Sequence, residues 1–462
     1  MISKTDAAPV PESLPKQMLI FALPIMAMNI LQLMFNAADM VVVGRFSGSA
    51  ALAAVGATGS LINLIVNLFM GLSVGTTVVL ANDYGAGNYG EIKQTVHTSM
   101  AVSIISGVVV MFVGLAFCVP LLEVMGTPQD IIAASALYMK IYFLGLPASM
   151  VYNFGAAILR AVGDSRRPMY FLTVSGVINV VLNLLFVAAF RMGVAGVAWA
   201  TVISQYVAMG LIILSLSRSH GPIRYELRQT AINKEKLVKI VRIGLPAGLQ
   251  GLLFSISNVM IQSAVNSFGS VVVAASAAAG NVEGFVATTT NAFYNAAITF
   301  TGQRMGAEDY DGIDTVFKVC IGYVFGIWLL VGGATMYLGP TLLGFYTTNP
   351  EVIAVGMQRM RLLMAIYFTC GTMNVVPGIT RAMGYSILPM LCTLIGACLL
   401  RIVWLATFFA WHPTVTTLFL CYPVTWTIAG LGQVGIFFYA RRQVRQKAGA
   451  LGTVPAASVP AK

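Results

Sequence analysis

The sequence predicts an all-α integral membrane protein, with twelve transmembrane helices in two six-helix lobes related by pseudo-twofold symmetry. Composition is the first reason. Hydrophobic residues form 58% of the 462 and charged residues only 9%, against about 25% charged in ordinary soluble domains, so the chain cannot give a folded core a polar coat. Patterning is the second. Twelve apolar stretches between polar breaks start near residues 17, 52, 95, 133, 169, 194, 240, 275, 315, 354, 388 and 415, each near the roughly 20 residues that one crossing takes. They are too long for barrel strands and show no period-two alternation. Duplication is the third. Arg160-Ala161-Val162-Gly163-Asp164-Ser165-Arg166-Arg167-Pro168 returns as Arg381-Ala382-Met383-Gly384-Tyr385-Ser386-Ile387-Leu388-Pro389, with arginine, alanine, glycine, serine and proline kept at an offset of 221 residues.

The same offset, within one residue, relates Leu23-Pro24 to Leu245-Pro246, Gly85-Ala86-Gly87-Asn88-Tyr89 to Gly306-Ala307-Glu308-Asp309-Tyr310, and Lys140 to Arg361. Two whole halves therefore correspond, with six apolar stretches in each. Paired halves in an apolar chain point to a transporter, in which one bundle rocks against the other around a central cavity. Residues 1–14 read as a disordered cytoplasmic tail, 15–217 as the N-terminal lobe, 218–239 as a cytoplasmic basic linker, 240–447 as the C-terminal lobe and 448–462 as a second disordered tail.

The net charge of +11 does not point to nucleic acid, because its distribution follows a membrane. With the amino terminus in the cytoplasm, 21 of the 27 Lys and Arg fall in cytoplasmic segments, and the external segments hold Arg45, Lys140, Arg191, Arg359 and Arg361. That bias places both ends inside the plasma (inner) membrane. The first fifteen residues lack the apolar core of a cleaved signal, so the first helix is expected to stay as an anchor. The six cysteines lie in or beside apolar runs without metal spacing and read as small buried side chains, with no disulfide.

In chain order, the first helix places Asn29, Gln32, Asn36 and Asp39 three, four and three apart, hence on one face. A carboxylate inside a span is costly and faces a bundle interior or a wet cavity. Asp39 is therefore the leading site residue; the plainer account is that it reaches for headgroups from a position five residues before Gly44. The second helix carries Asn63 and Asn67 and ends in the turn-rich Asn82-Asp83-Tyr84-Gly85-Ala86-Gly87-Asn88, which Asp83 is expected to organise. After the fourth helix, Gly163 suits a helix end and Pro168 opens the next. The fifth helix spaces Ser175, Asn179 and Asn183 by four, and Thr201 in the sixth completes a polar cluster. An ion site and interhelical glue account for that cluster equally well. Residues 217–239 join the halves with Arg218, Arg224, Arg228, Lys234, Lys236 and Lys239 against Glu226 and Glu235, a stretch that either touches anionic lipid or is simply solvated.

The seventh helix repeats the first but has no acid opposite Asp39; its polar positions are Gln250, Ser255, Ser257, Asn258 and Gln262. In the eighth, Glu283 sits among apolar neighbours, with Thr288, Asn291 and Asn295 on an adjacent stripe. Arg401, near the middle of the eleventh, has no charge near it in sequence. Buried charges pair, so a Glu283–Arg401 ion pair stands beside a proton or cationic-substrate role for Glu283. Gln32, Asn36, Asn63, Asn67, Gln250, Asn258, Gln262 and Asn291 are the expected walls of a substrate cavity. Pro340, Pro377, Pro413 and Pro423 are placed near helix ends. No Walker-type glycine loop, no Gly-x-Ser-x-Gly elbow and no metal spacing among His97, His220 and His412 occur. An enzyme, a cofactor or a bound metal thus has no residues to stand on.

At the duplicated motifs the chain resembles the multidrug and toxic compound extrusion (MATE) family of secondary exporters. Leu23-Pro24, Asp39 within Asn36-Ala37-Ala38-Asp39-Met40-Val41-Val42-Val43-Gly44, Tyr152-Asn153-Phe154 through Ser165, and Arg381 to Pro389 carry the likeness. The resemblance implies two six-helix lobes with a cleft that opens to either side in turn, and export of small organic cations driven by entry of H+ or Na+. It also implies a coupling-cation site on Asp39, Asn179, Asn183 and Thr201. Asn183 departs from the family pattern, which commonly has aspartate there, so one formal negative charge stands where two would. Ligand charge tunes cation affinity, which weakens the expectation of tight sodium binding and leaves a single acid to alternate between proton and substrate cation. The chain is expected to work as a monomer in the lipid bilayer, with small molecules as its only partners. The alternatives are a lipid-linked sugar flippase of the same superfamily, or a membrane receptor or scaffold without turnover.

Overall fold

Apolar runs bounded by glycine, proline and charge fold as helices, and the described residues contain no strand. A computed structural model describes residues 13–124, 127 and 129–450, without the side chains of Ser49, Ala57, Ser60, Leu61, Asn63, Leu64 and Ala450. The two tails, but for residues 13–14 and 448–450, lie outside the described residues. The N-terminal lobe comprises α1 (Leu14–Phe46), α2 (Gly48–Gly85), α3 (Tyr89–Val124), α4 (Gln129–Leu144), α5 (Leu146–Ala161), α6 (Arg166–Asn183) and α7 (Gly193–Arg218). The C-terminal lobe comprises α8 (Lys234–Asn266), α9 (Ser270–Gly306), α10 (Tyr310–Ile327), α11 (Gly333–Tyr337), α12 (Gly339–Gly344), α13 (Pro350–Met364), α14 (Tyr367–Ala382), α15 (Ile387–Thr393), α16 (Leu400–Trp404) and α17 (Val415–Ala450). Ten helical stretches are long and apolar enough to cross a membrane; counting α4–α5, bent by 47°, and α13–α14, bent by 54°, as one span each makes twelve.

The duplication is visible in the backbone itself. Gly163 and Gly384 end corresponding spans at the same φ of +91°, a left-handed conformation that glycine alone adopts without a Cβ penalty. The π-helical turn Leu184–Ala189 that prolongs α6 has its counterpart in Leu405–Phe409, after α16. Pro377 and Pro423, expected at helix ends, lie inside α14 and α17. All six cysteines are free thiols, five buried and Cys392 half-buried.

The lobes meet along one end. A Cβ on Gly75 of α2 would stand 2.2 Å from the Ile240 carbonyl oxygen of α8, and one on Gly85 would stand 1.9 Å from the Gln303 oxygen of α9. Glycine is required at both, because backbone fills the space. Toward the other end of α2, Gly59 has nothing within 4 Å, nor have Gly280 and Gly284 on α9, so these glycines make no such close backbone contact. α1 and α8 cross over at the closed end. Met18, Phe21, Ala22 and Ile25 of α1 are buried in the C-terminal core with Phe293, Val316, Ile379 and Phe437, while Lys236 of α8 reaches into the N-terminal lobe, its Nζ 2.7 Å from Asp83 Oδ2 and 2.7 Å from Glu91 Oε2.

That contact corrects the reading of residues 218–239 as a plain basic linker. α7 continues to Arg218 and α8 begins at Lys234, so the connection itself is shorter. It is also fastened: the Asn233 amide N–H donates to Thr98 Oγ1 at 3.0 Å, its side chain donates to Gln94 Oε1 at 2.7 Å, and Tyr225 is buried. Lys236 is itself buried, because two carboxylates compensate its desolvation.

Candidate functional site

Each lobe holds a polar site built from the same three spans. In the N-terminal lobe these are α1, α6 and α7. Residues four apart share a helix face, so Asn179 and Asn183 of α6 both turn toward α1 and α7. Asn183 Nδ2 donates to Asp39 Oδ1 and lies 3.2 Å from Asn179 Oδ1; Asn179 Nδ2 lies 3.4 Å from Thr201 Oγ1, whose hydroxyl donates to the Val197 carbonyl at 3.0 Å. The four residues thus form one hydrogen-bonded chain. Asn183 and Asn179 are buried and Asp39 half-buried. Asn183 Oδ1 has no partner among the described residues. The π-helical turn begins directly after Asn183, the kind of local irregularity that recurs at functional sites. What this cluster offers is acceptor oxygen: a carboxylate, an amide oxygen and a hydroxyl.

In the C-terminal lobe the spans are α8, α15–α16 and α17, joined by α9 and α13–α14 around a cavity of about 780 Å³. Arg401 Nη1 donates to Asn258 Oδ1 at 2.8 Å and to Ser257 Oγ at 3.2 Å, and Nε reaches Thr425 Oγ1 at 3.5 Å. Its guanidinium lies 5.1 Å from the Phe254 ring centre and 4.9 Å from that of Tyr422. Glu283 accepts from Arg359 in a two-pronged pair, Nε to Oε1 at 3.0 Å and Nη2 to Oε2 at 2.9 Å. Arg359 also lies 5.2 Å from the Tyr422 ring. Deeper in, Arg381 donates to Gln250 Oε1 and, at 2.5 Å, to the Tyr294 hydroxyl.

The expected Glu283–Arg401 ion pair is therefore not formed; the partner of Glu283 is Arg359. The sequence places Arg359 in an external segment, but the bend between α13 and α14 carries it into the lobe, where it is buried. One signal for this is legible in the sequence. Val352, Gly356, Arg359 and Leu363, all buried, fall at the i, i+4, i+7, i+11 spacing of a single helix face, so the arginine interrupts an apolar stripe. In the sequence Arg381 stands out only as part of the duplicated motif, and Tyr422 does not stand out.

Of the expected cavity residues, Gln250, Asn258, Gln262 and Asn291 line the C-terminal cavity together with Glu283 and Arg401. Gln32 and Asn36 do not; they are exposed on α1 near Asp39. Asn67 lies against Gly251 of α8, and the Asn63 side chain lies outside the described residues. Asn29, on the same face as Asp39, donates to the Thr288 carbonyl of α9 at 3.2 Å and so joins the lobes.

One polar cluster in each of two duplicated apolar lobes fits the anatomy of a transporter built from repeats. The MatE family model matches residues 24–185 and again 246–407, one match per lobe. The chain belongs to the MATE family. Among its MATE relatives is YoeA, a probable multidrug resistance protein of Bacillus subtilis, 30% identical over 387 residues, which are 81% of this chain and 82% of YoeA. NorM of Thermotoga maritima, also a probable multidrug resistance protein, is 25% identical over 399 residues, 84% of each chain. The crystal structure of the Vibrio cholerae MATE transporter VcmN in its bent form shares the fold, with a TM-score of 0.86 over 94% of this chain and 98% of that one at 22% identity. The MATE family is one of transporters, and the multi-pass helical bundle described above is its fold.

Proposed function

We propose that this protein is a secondary antiporter that exports small organic molecules, organic cations among them, in exchange for a proton or a sodium ion, with Asp39 as the coupling carboxylate. The relatives named for multidrug resistance support the substrate class. The hydrogen-bonded chain from Asp39 through Asn183 and Asn179 to Thr201 is the observation that carries the rest. An ionised Asp39 accepts the Asn183 N–H. A protonated Asp39 gains an O–H donor while its carbonyl oxygen still accepts, and the Asn183 amide oxygen, which has no partner among the described residues, takes that donor once the amide turns over. A proton therefore changes how α1 seats on α6. Because the first turns of α1 are embedded in the C-terminal core, that change is felt at the contact between lobes. A single carboxylate held by an amide N–H favours the proton over sodium, since a metal ion needs acceptor oxygens on all sides.

The same reading places the chain in the plasma (inner) membrane as a monomer, with both ends in the cytoplasm. In the cycle it describes, the outward-facing lobes release substrate as Asp39 takes up the coupling cation, and the inward-facing lobes release the cation as substrate binds. Uptake of a fluorescent organic cation into inverted vesicles under an imposed proton or sodium gradient tests it. Asp39→Asn should reduce gradient-driven uptake to background at normal expression. Unchanged uptake would remove Asp39 from the mechanism. Counterflow in proteoliposomes separates a carrier from a receptor or scaffold, because only a carrier exchanges substrate against its gradient.

A further inference from the structure

The charged groups on the wall of the C-terminal cavity are three guanidiniums, on Arg359, Arg381 and Arg401, and one carboxylate, on Glu283. The carboxylate is already satisfied by Arg359, which leaves two positive charges uncompensated in the interior of a membrane lobe. Burying charge without a counter-charge is unfavourable by several kcal/mol. Neighbouring rings and amides relieve part of this at Arg401, yet among the described residues its Nη2 has no hydrogen-bond partner, and neither has Arg381 Nε. Arg401 is 1% exposed and Arg381 3%.

The other unpartnered atoms on this wall have the same sense. Among the cavity-lining residues the buried atoms without a partner are Arg401 Nη2, Arg381 Nε, Trp426 Nε1 and Ser276 Oγ. All are N–H or O–H groups, and none is a carbonyl or carboxylate oxygen. A cavity whose unmet hydrogen-bonding capacity is to donate, and whose net charge is positive, complements an acceptor that carries negative charge. Its apolar walls, Phe254, Tyr294, Tyr367, Tyr422, Met373 and Trp426, suit a flat aromatic body, and about 780 Å³ lies within the roughly 300–1,000 Å³ of sites for drug-sized ligands.

We infer that the C-terminal cavity is a binding site for an anionic group, a carboxylate or its phosphate or sulfonate equivalent, on an aromatic organic molecule, with Arg401 as its anchor and Arg381 as the second positive wall. This rests on the antiport reading only for the claim that what binds is also carried; the binding itself requires no gradient and no Asp39.

The test uses the full-length protein in nanodiscs and three ligands of one shape: naphthoate, naphthylmethylammonium and naphthylmethanol, with affinity read by calorimetry. The intact protein should bind naphthoate tightest. Arg401→Gln should weaken naphthoate by about tenfold or more, the worth of one charge-assisted contact, and leave naphthylmethanol within about twofold. Arg401→Lys should restore part of the loss. Preference of the intact protein for the ammonium would overturn the inference without any variant. So would naphthoate binding that is indifferent to both Arg401→Gln and Arg381→Gln in folded protein. Nanodiscs with and without phosphatidylglycerol separate the two sources of an anionic group: competition by this lipid that is lost in Arg401→Gln assigns the site to a lipid headgroup, and no competition assigns it to the soluble molecule. Normal naphthoate binding without gradient-driven movement in proteoliposomes would sink the antiport reading while leaving the site intact.

Discussion

The two lobes carry polar clusters on corresponding spans, one built around an acid and the other around a guanidinium. At the offset that relates the halves, Thr201 corresponds to Tyr422 and Val180 to Arg401; at one residue more, Asn36 corresponds to Asn258 and Asp39 to Ile261. The N-terminal cluster is therefore an acid ringed by amides, with an unpartnered oxygen, and the C-terminal cluster is a guanidinium ringed by amide, hydroxyl and aromatic faces, with unpartnered N–H groups. The duplicated scaffold fixes where each cluster lies. On the two sites proposed above, a few side chains then decide whether that place attracts a cation or an anion, because in a low-dielectric interior a formal charge is the strongest local field.

The largest effect expected on this comparison comes from the neutralised pair. Glu283→Gln leaves Arg359 buried without a counter-charge and should destabilise the protein by about 3–5 kcal/mol in detergent unfolding. Pairing it with Arg359→Met should recover most of that. A cycle with Arg401→Gln in place of the Arg359 variant should show much weaker coupling; equal coupling would mean that the C-terminal charges act as one network rather than as a closed pair and a free cation.

Next is the contact that lets the lobes differ in role yet move together. Gly75→Leu drives a side chain into the Ile240 carbonyl and should cost about 1–3 kcal/mol of overpacking. Spin-label distances across the junction of α2 and α8 should lengthen, while ligand binding within the C-terminal cavity stays near normal. Loss of that binding would show that the cavity depends on lobe contact.

Asn183→Asp sharpens the comparison by adding a second negative charge to the N-terminal cluster. Sodium-driven uptake should rise by about tenfold relative to proton-driven uptake, since ligand charge tunes cation affinity. An unaltered ion preference would show that the amide is not a ligand.

Smallest are the matched turns. Gly163→Ala and Gly384→Ala each place a Cβ on a residue at φ +91°, and each should cost about 1 kcal/mol or slightly more in thermal unfolding. Very unequal losses would mean that the symmetry of the backbone does not extend to its energetics.

The chain by itself determined the helices, their number and their pairing into halves. Lipid demands that every backbone group be satisfied within its own segment, so a run of apolar residues has one available structure, and a repeated run repeats it. Asp39, Asn179, Asn183 and Thr201 were legible for a related reason: polar residues at helical spacing inside an apolar span have few places to face. Glu283 and Arg401 could each be recognised as buried charge, but not their partners. Arg359 meets Glu283 in a span bent by 54° between α13 and α14, Lys236 finds Asp83 across 153 residues, and α1 starts in the opposite core. Those are consequences of how helices pack, and packing distances are set by side chains remote in sequence, so only the tertiary structure decided which charges meet and which remain unmatched.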